Sequence, residues 1–227
     1  MKKIHKYFSK KELILYFSSI LIVIIFFTIF DRKNYLTLIA SIIGTTSLIF
    51  SAKGNPIGPI LMIFFSLLYG YISLSFAYYG EMLTYLGMSA PMSILALISW
   101  LKNPYKGNKS QVKVDKLRKN EIWLITLLSF IVTVIFYFIL KAFNTTNLLP
   151  STLSVTTSFI AVYLTYRRSP FFALAYALND MVLIVLWILA TISNISYISV
   201  TICFIIFFVN DLYGFYSWLK MSKKQID

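Results

Sequence analysis

The sequence predicts an all-α integral membrane protein with eight transmembrane helices, one extra N-terminal helix followed by a bundle of seven. The first observation behind this prediction is composition: 59% of the 227 residues are apolar, 13% are charged, and the mean hydropathy is +0.78. Soluble domains contain about 45–50% apolar and about 25% charged residues. A bilayer accepts this excess because the lipid-facing side of a helix needs no polar cover.

The second observation is the length of the apolar runs. A bilayer core about 30 Å thick is crossed by roughly 20 helical residues. Eight runs come close to that length: 13–30, 35–52, 57–79, 82–101, 122–140, 151–166, 171–192 and 197–219. The residues between them form short turns and one longer loop, so we expect the functional site to lie within the membrane.

The first run follows a basic segment, as the apolar part of a signal peptide does. It ends in bulky residues, including Phe26 and Phe27, with no small-residue cleavage pattern. We therefore interpret it as a retained helix, whose apolar surface suits contact with lipid or with another copy of the chain.

The third observation is the position of the charges, which give a net charge of +13. Of the 21 Lys and Arg residues, 18 lie at the two ends and in alternate gaps, seven of them between Lys102 and Lys119, whereas the other gaps hold Arg32, Lys33 and Lys141. Basic residues concentrate in cytoplasmic loops, so we expect a multi-pass protein of the cell membrane with both termini in the cytoplasm. Because the charges follow the loops, we expect no nucleic acid as a partner.

Metal and disulfide chemistry are not indicated by the sequence. The chain has one cysteine, Cys203, within an apolar run, and one histidine, His5, near its start. A disulfide needs two cysteines, and zinc sites use clusters of Cys and His. We therefore expect no metal, no cofactor and no disulfide.

The chain contains two similar halves around a plain fifth run. The motif KGNP, ending at Pro56, precedes two runs that close at Trp100, and RRSP, ending at Pro170, precedes two runs that close at Trp218. Repeating a three-span unit in one orientation requires a helix between the copies, which predicts a 3+1+3 arrangement of parallel repeats, a symmetry found in transporters. The predicted divisions are an N-terminal tail and extra helix at 1–34, a first repeat at 35–101, a basic loop at 102–121, a linker helix and outer loop at 122–150, and a second repeat with the C-terminal tail at 151–227.

Polar side chains deep in a transmembrane run are costly, so each is a candidate functional residue. The strongest candidates are Asn179 and Asp180 in the seventh run and Asn210 and Asp211 in the eighth. At about 1.5 Å per residue, the two aspartates lie at matching depth, about 13 and 12 Å from the cytoplasmic ends of their helices. We expect them to surround one polar cavity. The alternative is that they only join helices by hydrogen bonds.

Further candidate substrate-binding residues lie on polar or aromatic helix faces. They are Tyr213 and Ser217 on the stripe of Asn210, Tyr176 and Trp187 on the face of Asp180, and Ser66 and Tyr69 on the third run. Aromatic rings with amides suit a planar heterocycle joined to a sugar, because the rings stack while the sugar hydroxyls are held by Asn and Asp.

Four other residues have predicted mechanical roles. Pro91 lies in the middle of a run and lacks a backbone donor, which predicts a kink and a candidate hinge. Gly214, on the stripe of Asn210, is a second candidate hinge. Trp100 and Trp218, at the cytoplasmic ends of their runs, are interpreted as interfacial anchors.

The stretches AKGNPIGPILMIFFSLLYGYISLSFAYYGEM and NDLYGFYSWLK resemble the nicotinamide riboside transporter family, the PnuC-type vitamin transporters, which are distantly similar to SWEET sugar transporters. The resemblance extends over residues 53–220. Its most specific part is the signature Tyr-Gly-x-Tyr-x-Trp that closes a repeat, here Tyr213, Gly214, Tyr216 and Trp218.

This resemblance implies a 3+1+3 homotrimer that carries nicotinamide riboside, a precursor of NAD, by facilitated diffusion and alternating access, without ATP, a coupling ion or enzyme activity. A cytoplasmic kinase would then trap the imported nucleoside by phosphorylation. The first half keeps only Trp100 of the signature and has Leu95, Ala96 and Ile98 at the other positions. Thiamine, riboflavin or a deoxynucleoside therefore stay open as alternative substrates.

Two other classes of function are alternatives. Two aspartates at equal depth suit the dyad of an intramembrane aspartyl protease, but Val209 and Asn210 precede Asp211 where such proteases have a Gly-x-Gly-Asp signature. A substrate-capturing subunit of a larger importer is the third class, and co-purification of an ATPase would identify it.

Overall fold

The computed structural model describes residues 7–75 and 78–226 as a bundle of helices. His5, the rest of residues 1–6, two residues of the predicted third run and the final residue lie outside the described residues. The helices are Lys10–Phe30 (α1), Tyr35–Ser51 (α2), Ile57–Ser75 (α3), Tyr79–Leu83 (α4), Ala90–Lys102 (α5), Lys119–Ala142 (α6), Leu148–Tyr166 (α7), Phe172–Ser193 (α8) and Ile198–Ile226 (α9). A π-helical segment, Thr84–Ser89, joins α4 to α5, and a 3₁₀ turn, Ile195–Tyr197, precedes α9.

Helices long enough to span a bilayer make up most of this bundle. Over residues 7–75 and 78–226, seven helical segments are long and apolar enough to cross a membrane, with α4, the π-helical segment and α5 counted as one, Tyr79–Lys102. α2 is also apolar but has 17 residues, a length of about 25 Å. The all-α membrane fold predicted from the sequence is therefore confirmed, although α9 continues to Ile226, well past the predicted end at 219.

The basic loop between α5 and α6 contains a hairpin that the sequence interpretation did not include. Strands Pro104–Tyr105 (β1) and Asn108–Val112 (β2) pair antiparallel. Lys106 and Gly107 between them have positive φ angles of 49° and 78°, as a tight hairpin turn requires. The hairpin contacts the turn after α2 and the end of α9. The Val112 N–H donates to the carbonyl of Gly54, and the carbonyl of Val112 accepts from the side chain of Gln225.

The turns that follow α2 and α7 have the same local structure. Gly54 and Arg168 both adopt the left-handed conformation, with φ of 65° and 55°. The next side chain in each turn, Asn55 or Ser169, accepts a hydrogen bond from the backbone N–H two residues later, at 2.9 and 3.3 Å. A left-handed Arg is unfavourable by about 1 kcal/mol or more, so this conformation is imposed by the surrounding structure.

Two helices lie at the edge of the bundle. α1 packs against α2 and α9, and α6 packs against α7. Their outward sides carry exposed apolar residues such as Phe17 and Trp123, which a bilayer covers without polar groups. This location of α1 is compatible with both roles expected from the sequence, contact with lipid or with another copy of the chain.

The helix that contains Pro91 is irregular just before the proline. The π-helical segment Thr84–Ser89 ends two residues before it, and Pro91 lies in the first turn of α5. Proline removes the donor for one helical hydrogen bond. A π-helical turn replaces the regular bonds between residues four apart with bonds between residues five apart. The predicted irregularity is present, but it extends over the turn N-terminal to Pro91.

Candidate functional site

A small cavity lies in the centre of the bundle, where five helices and the π-helical segment meet. Its volume is about 20 Å³, which holds about one water molecule. Its lining consists of Leu48 from α2, Met62 and Phe65 from α3, Tyr85 and Ser89 from the π-helical segment, Ser158 from α7, Tyr176, Asn179 and Asp180 from α8, and Phe207 and Asp211 from α9. Four of the residues predicted from the sequence therefore meet at one cavity.

Asn179 is fixed by two hydroxyl groups of α7. Its Oδ1 accepts hydrogen bonds from Thr157 Oγ1 at 2.8 Å and from Ser158 Oγ at 3.0 Å. The side chain is buried. Because both bonds use the carbonyl oxygen, they orient the amide and leave its NH2 group available as a donor.

Asp180 of α8 and Asp211 of α9 both line the cavity, where these two helices pack together. Both are buried, and Asp180 Oδ2 has no hydrogen-bond partner among the residues that the structure describes. The lining of the cavity contains no Lys, Arg or His within the same part of the chain. The cavity is thus rich in acceptors and has no cationic side chain to neutralise them, which favours a ligand that brings hydrogen-bond donors or positive charge.

Aromatic residues surround the cavity on the opposite side. Phe65 and Tyr85 line it, and Tyr69 packs on both, with ring centroids 5.4 and 4.7 Å away. Trp187 lies behind Tyr69 at 6.2 Å. Tyr69 and Trp187, both predicted as site residues, therefore form a supporting layer outside the lining, and Ser66 is buried in the same region without lining the cavity.

The predicted stripe on α9 does not face this cavity. Asn210 Nδ2 donates to Ser19 Oγ of α1 at 3.0 Å, and the Tyr213 hydroxyl donates to Glu12 Oε1 at 3.0 Å. Ser217 lies further along the same side. Consecutive helix positions point about 100° apart, so Asp211 faces the cavity while Asn210 faces α1. This side of α9 binds the extra N-terminal helix.

Gly214 lies where α9 crosses the start of α8. A Cβ atom added to it would be 3.3 Å from the Cβ of Ala173. Its small size therefore permits close helix packing, and its role as a hinge stays a prediction.

The buried carboxylate of Glu12 was not predicted as a site residue. It forms a capping box with Ser9 at the start of α1, pairs with Lys53 Nζ at 3.1 Å and accepts from Tyr213. The pattern Ser-x-x-Glu before an apolar run is the sequence signal that identifies such a box. Glu12 thus connects α1 to α9 and to the turn after α2.

A second buried acid, Glu81, was also missed. It lies in the first turn of α4, is 1% exposed, and its Oε1 accepts from Ser154 Oγ of α7 at 2.7 Å. The predicted fourth run begins at 82, immediately after this charge, so the sequence interpretation placed Glu81 in a loop. The structure places it inside the contact between α4 and α7.

The interpretation of Trp100 and Trp218 as interfacial anchors is wrong. Their exposures are 1% and 0%, whereas an anchor reaches the membrane surface. Trp100 Nε1 donates to the carbonyl of Thr165 at 3.0 Å, and Trp218 Nε1 donates to the carbonyl of Ser51 at 2.7 Å. Their ring centroids are 5.4 Å apart, and Phe172 packs on both.

This tryptophan cluster, Trp100, Trp218 and Phe172, closes one end of the bundle. A second cavity of about 20 Å³ lies between it and the central cavity, with Phe172 and Tyr176 in its lining. Tyr176 also lines the central cavity. The cluster therefore lies between the two small cavities and the basic loop that follows α5.

A polar cavity enclosed by helices long enough to cross a membrane is the arrangement expected of a multi-pass membrane transporter. The nicotinamide mononucleotide transporter family model matches residues 34–220, and the chain belongs to this family. Since the family consists of transporters, the protease alternative is discarded.

Two individual proteins are similar to the chain over most of its length. The chain is 24% identical over 204 residues to the nicotinamide riboside transporter PnuC of Neisseria mucosa, covering 86% of this chain and 76% of that protein. Its fold matches the crystal structure of the vitamin B3 transporter PnuC with a TM-score of 0.84 and 21% identity, covering 96% and 94% of the two chains.

Replacing Ser154 with alanine should destabilise the protein. Ser154→Ala removes the hydroxyl that donates to the buried Glu81 carboxylate, and we expect the free energy of unfolding to fall by about 1 kcal/mol. Thermal unfolding of the detergent-purified protein measures the effect. Ser129→Ala is the matched control, because the Ser129 hydroxyl is also buried but has no hydrogen-bond partner in the described chain. Equal losses in the two variants would contradict the importance of the Glu81 contact.

Proposed function

We propose that the protein facilitates the uptake of nicotinamide riboside across the cell membrane. The observation that carries this proposal is the central cavity, in which an oriented amide, two carboxyl groups and aromatic rings converge without a cationic side chain. Nicotinamide riboside presents a positively charged pyridinium ring, a carboxamide and ribose hydroxyls. Its charge and donors complement this lining, and membership of the transporter family supports the same substrate class.

Each cavity residue has a role in this proposal. Asn179 donates to the substrate through the NH2 group that its α7 contacts leave available. Asp180 and Asp211 accept from the ribose hydroxyls and balance the pyridinium charge. Phe65 and Tyr85 pack on the heterocycle, as rings of this kind do in many ligand sites.

The present cavity is too small for this substrate, so binding requires the surrounding helices to separate. A volume of about 20 Å³ accommodates about one water molecule. We propose that the two halves rock against each other and expose the cavity alternately to the two sides of the membrane. The irregular backbone before Pro91 is the proposed hinge, with Gly214 as a second pivot between α8 and α9.

Several contacts support the proposed 3+1+3 repeat. Ser51 and Thr165 each lie five residues before the proline that opens the next helix in their half. Each accepts the indole N–H of the tryptophan that closes the opposite half. The turns after α2 and α7 also share the same left-handed residue and side-chain cap. Two equivalent units that exchange equivalent contacts explain all these observations.

The proposed transport mode is uniport without ATP. The sequence contains no P-loop that would bind a nucleotide, and direction would come from a cytoplasmic kinase that phosphorylates the imported nucleoside. We further propose cytoplasmic termini, supported by the distribution of Lys and Arg, and a homotrimer, supported by the family resemblance. Another vitamin or nucleoside, such as thiamine, riboflavin or deoxyadenosine, is the alternative substrate.

Isothermal titration with four compounds tests the substrate. We expect heat of binding with nicotinamide riboside and none with riboflavin or deoxyadenosine, because only the first of these carries a positively charged ring. Thiamine also contains a cationic ring. Heat with thiamine alone would therefore support the central cavity as the binding site but identify thiamine as the substrate. Absence of heat with all four compounds would contradict the proposal.

Two asparagine variants locate the site within the same titration. Asn179→Ala removes the oriented amide and should weaken binding by about tenfold or more, the loss expected for a buried hydrogen bond to a charged ligand. Asn210→Ala should change affinity less than about threefold while lowering the melting temperature, because Asn210 contacts Ser19. A larger loss of affinity in Asn210→Ala than in Asn179→Ala would place the binding site on the side of α9 that faces α1.

Uptake by proteoliposomes tests the transport mode. Without a kinase, and with the membrane potential held at zero by equal potassium and valinomycin, labelled nicotinamide riboside should reach equal concentrations on both sides, and an imposed pH difference should leave the rate unchanged. Asp180→Asn and Asp211→Asn should show the same insensitivity. Accumulation driven by the pH difference alone would show that uniport is wrong.

The tryptophan cluster should behave as a gate. Trp100→Phe and Trp218→Phe keep an aromatic ring but remove the N–H, leaving a backbone carbonyl unpaired at a cost of about 1–2 kcal/mol. A reporter thiol, Ser93→Cys in a Cys203→Ala background, lies in the lining of the cavity above the cluster. We expect a reagent added from the side of the basic loops to label it about tenfold faster in both variants.

Trp123→Phe is the matched control for the gate, because Trp123 is 77% exposed on α6. Its labelling rate should equal that of the parent protein. If all three tryptophan variants are labelled at the parent rate, the cluster is not the barrier to the cavity.

A further inference from the structure

Two cavities away from the central site join at the start of α1. The larger, about 660 Å³, is a polar hollow whose charged lining residues are Glu12, Lys53, Lys220 and Lys224. The smaller, about 220 Å³, is an apolar groove between α1 and α2. Phe8 and Glu12 line both. The two cavities therefore adjoin at these side chains, and together they are called the depression, with a polar and an apolar part.

The depression lies at the ends of helices long enough to cross a membrane, where lipid headgroups are expected. The hollow is bounded by the beginning of α1, the turn after α2 and the end of α9. The groove continues from there along α1 toward the middle of the bundle, past Leu13 and Phe17, and Phe17 is 63% exposed. An exposed apolar groove that starts in a polar hollow at a helix end matches the arrangement of an acyl chain and its headgroup.

The charge of the hollow favours an anion. Lys53 is paired with Glu12, so these two side chains neutralise each other. Lys220 and Lys224 lie four residues apart on the same face of α9, are exposed, and pair with no carboxylate within residues 7–75 and 78–226. Lysines of this kind near a membrane surface attract anionic lipid.

Hydroxyl donors complete the polar part of the site. Tyr216 from α9 also lines the hollow, and phenol groups hydrogen-bond to phosphate oxygens. Tyr105 from the hairpin lines it as well, with its hydroxyl donating to the carbonyl of Lys224 at 3.5 Å. A soluble phosphate compound would use these groups and the lysines but would leave the groove unoccupied. The continuity of the groove with the hollow is the feature that favours a lipid.

We propose that this depression binds an anionic phospholipid, with the headgroup phosphate beside Lys220 and Lys224 and one acyl chain in the groove between α1 and α2. The bound lipid contacts α1, α2 and α9 together. It adds to the contacts of Glu12 with Lys53 and Tyr213 and stabilises the attachment of α1 to the bundle.

Native mass spectrometry of the full chain in detergent tests the proposal, with dioleoylphosphatidylglycerol and dioleoylphosphatidylcholine as probes. We expect the phosphatidylglycerol adduct to exceed the phosphatidylcholine adduct and to raise the melting temperature. The double variant Lys220→Gln, Lys224→Gln should reduce this preference by roughly tenfold. Leu13→Trp, which fills the groove, should reduce binding of both lipids.

Matched controls separate this site from general attraction to charge and to apolar surface. Lys116→Gln with Lys223→Gln removes two cations that do not line the hollow, and Ile14→Trp adds the same ring to an exposed position of α1 that does not line the groove. Both should retain the preference of the parent protein. Equal losses in test and control variants, equal binding of the two lipids, or equal protection by glycerol 3-phosphate would each overturn the proposal.

Discussion

The absence of water in a bilayer core is the constraint on which this structure depends. Every polar group there must find a partner within the protein, and most do: Ser41 and Thr45 donate to backbone carbonyls one turn earlier, at 2.8 Å each. Against this background, the polar atoms that lack partners in the described chain stand out. Asp180 Oδ2 and Ser66 Oγ are among them, and both lie at or beside the central cavity. A ligand gains most where it pairs such atoms, by donating to a carboxyl oxygen or by accepting from a hydroxyl group.

The two halves contribute different chemistry to this cavity. Ser66 and Asp180 each lie ten residues after the proline that opens their helix, so a hydroxyl in one half stands where the other half has a carboxyl group. α8 and α9 supply the amide and the acids, whereas α3 and the π-helical segment supply Phe65 and Tyr85. The amide and the acids thus come from one part of the chain, while aromatic rings come from both, including Tyr176 and Phe207 of α8 and α9. Such a mixture of polar groups and rings suits a ligand with a ring and a sugar.

The sequence was sufficient to predict the helices and the depth of the acidic pair, because both depend on hydropathy and on the rise per residue. It was insufficient for the direction of side chains on α9. Asn210, Tyr213 and Ser217 form a polar stripe on that helix, which the sequence interpretation assigned to the cavity. In the structure Asn210 and Tyr213 contact α1, and the neighbouring Asp211 lines the cavity. Glu81 was missed because an apolar run was ended at the first charge. The partners of Trp100 and Trp218 are backbone carbonyls, which no residue pattern encodes.

The end of α2 and the turn after it contact both the tryptophan cluster and α1. The carbonyl of Ser51 accepts the Trp218 indole, and two residues later Lys53 pairs with Glu12 of α1. On α9, Tyr213 binds the same Glu12 one and a half turns before Trp218. If α9 moves relative to α2 so that the Trp218–Ser51 hydrogen bond opens, the distance between Tyr213 and Lys53 changes as well. These are the two side chains that bind Glu12. The first helix is thus attached to both elements that meet at the Trp218–Ser51 contact. In the proposed mechanism this attachment gives α1 a physical role.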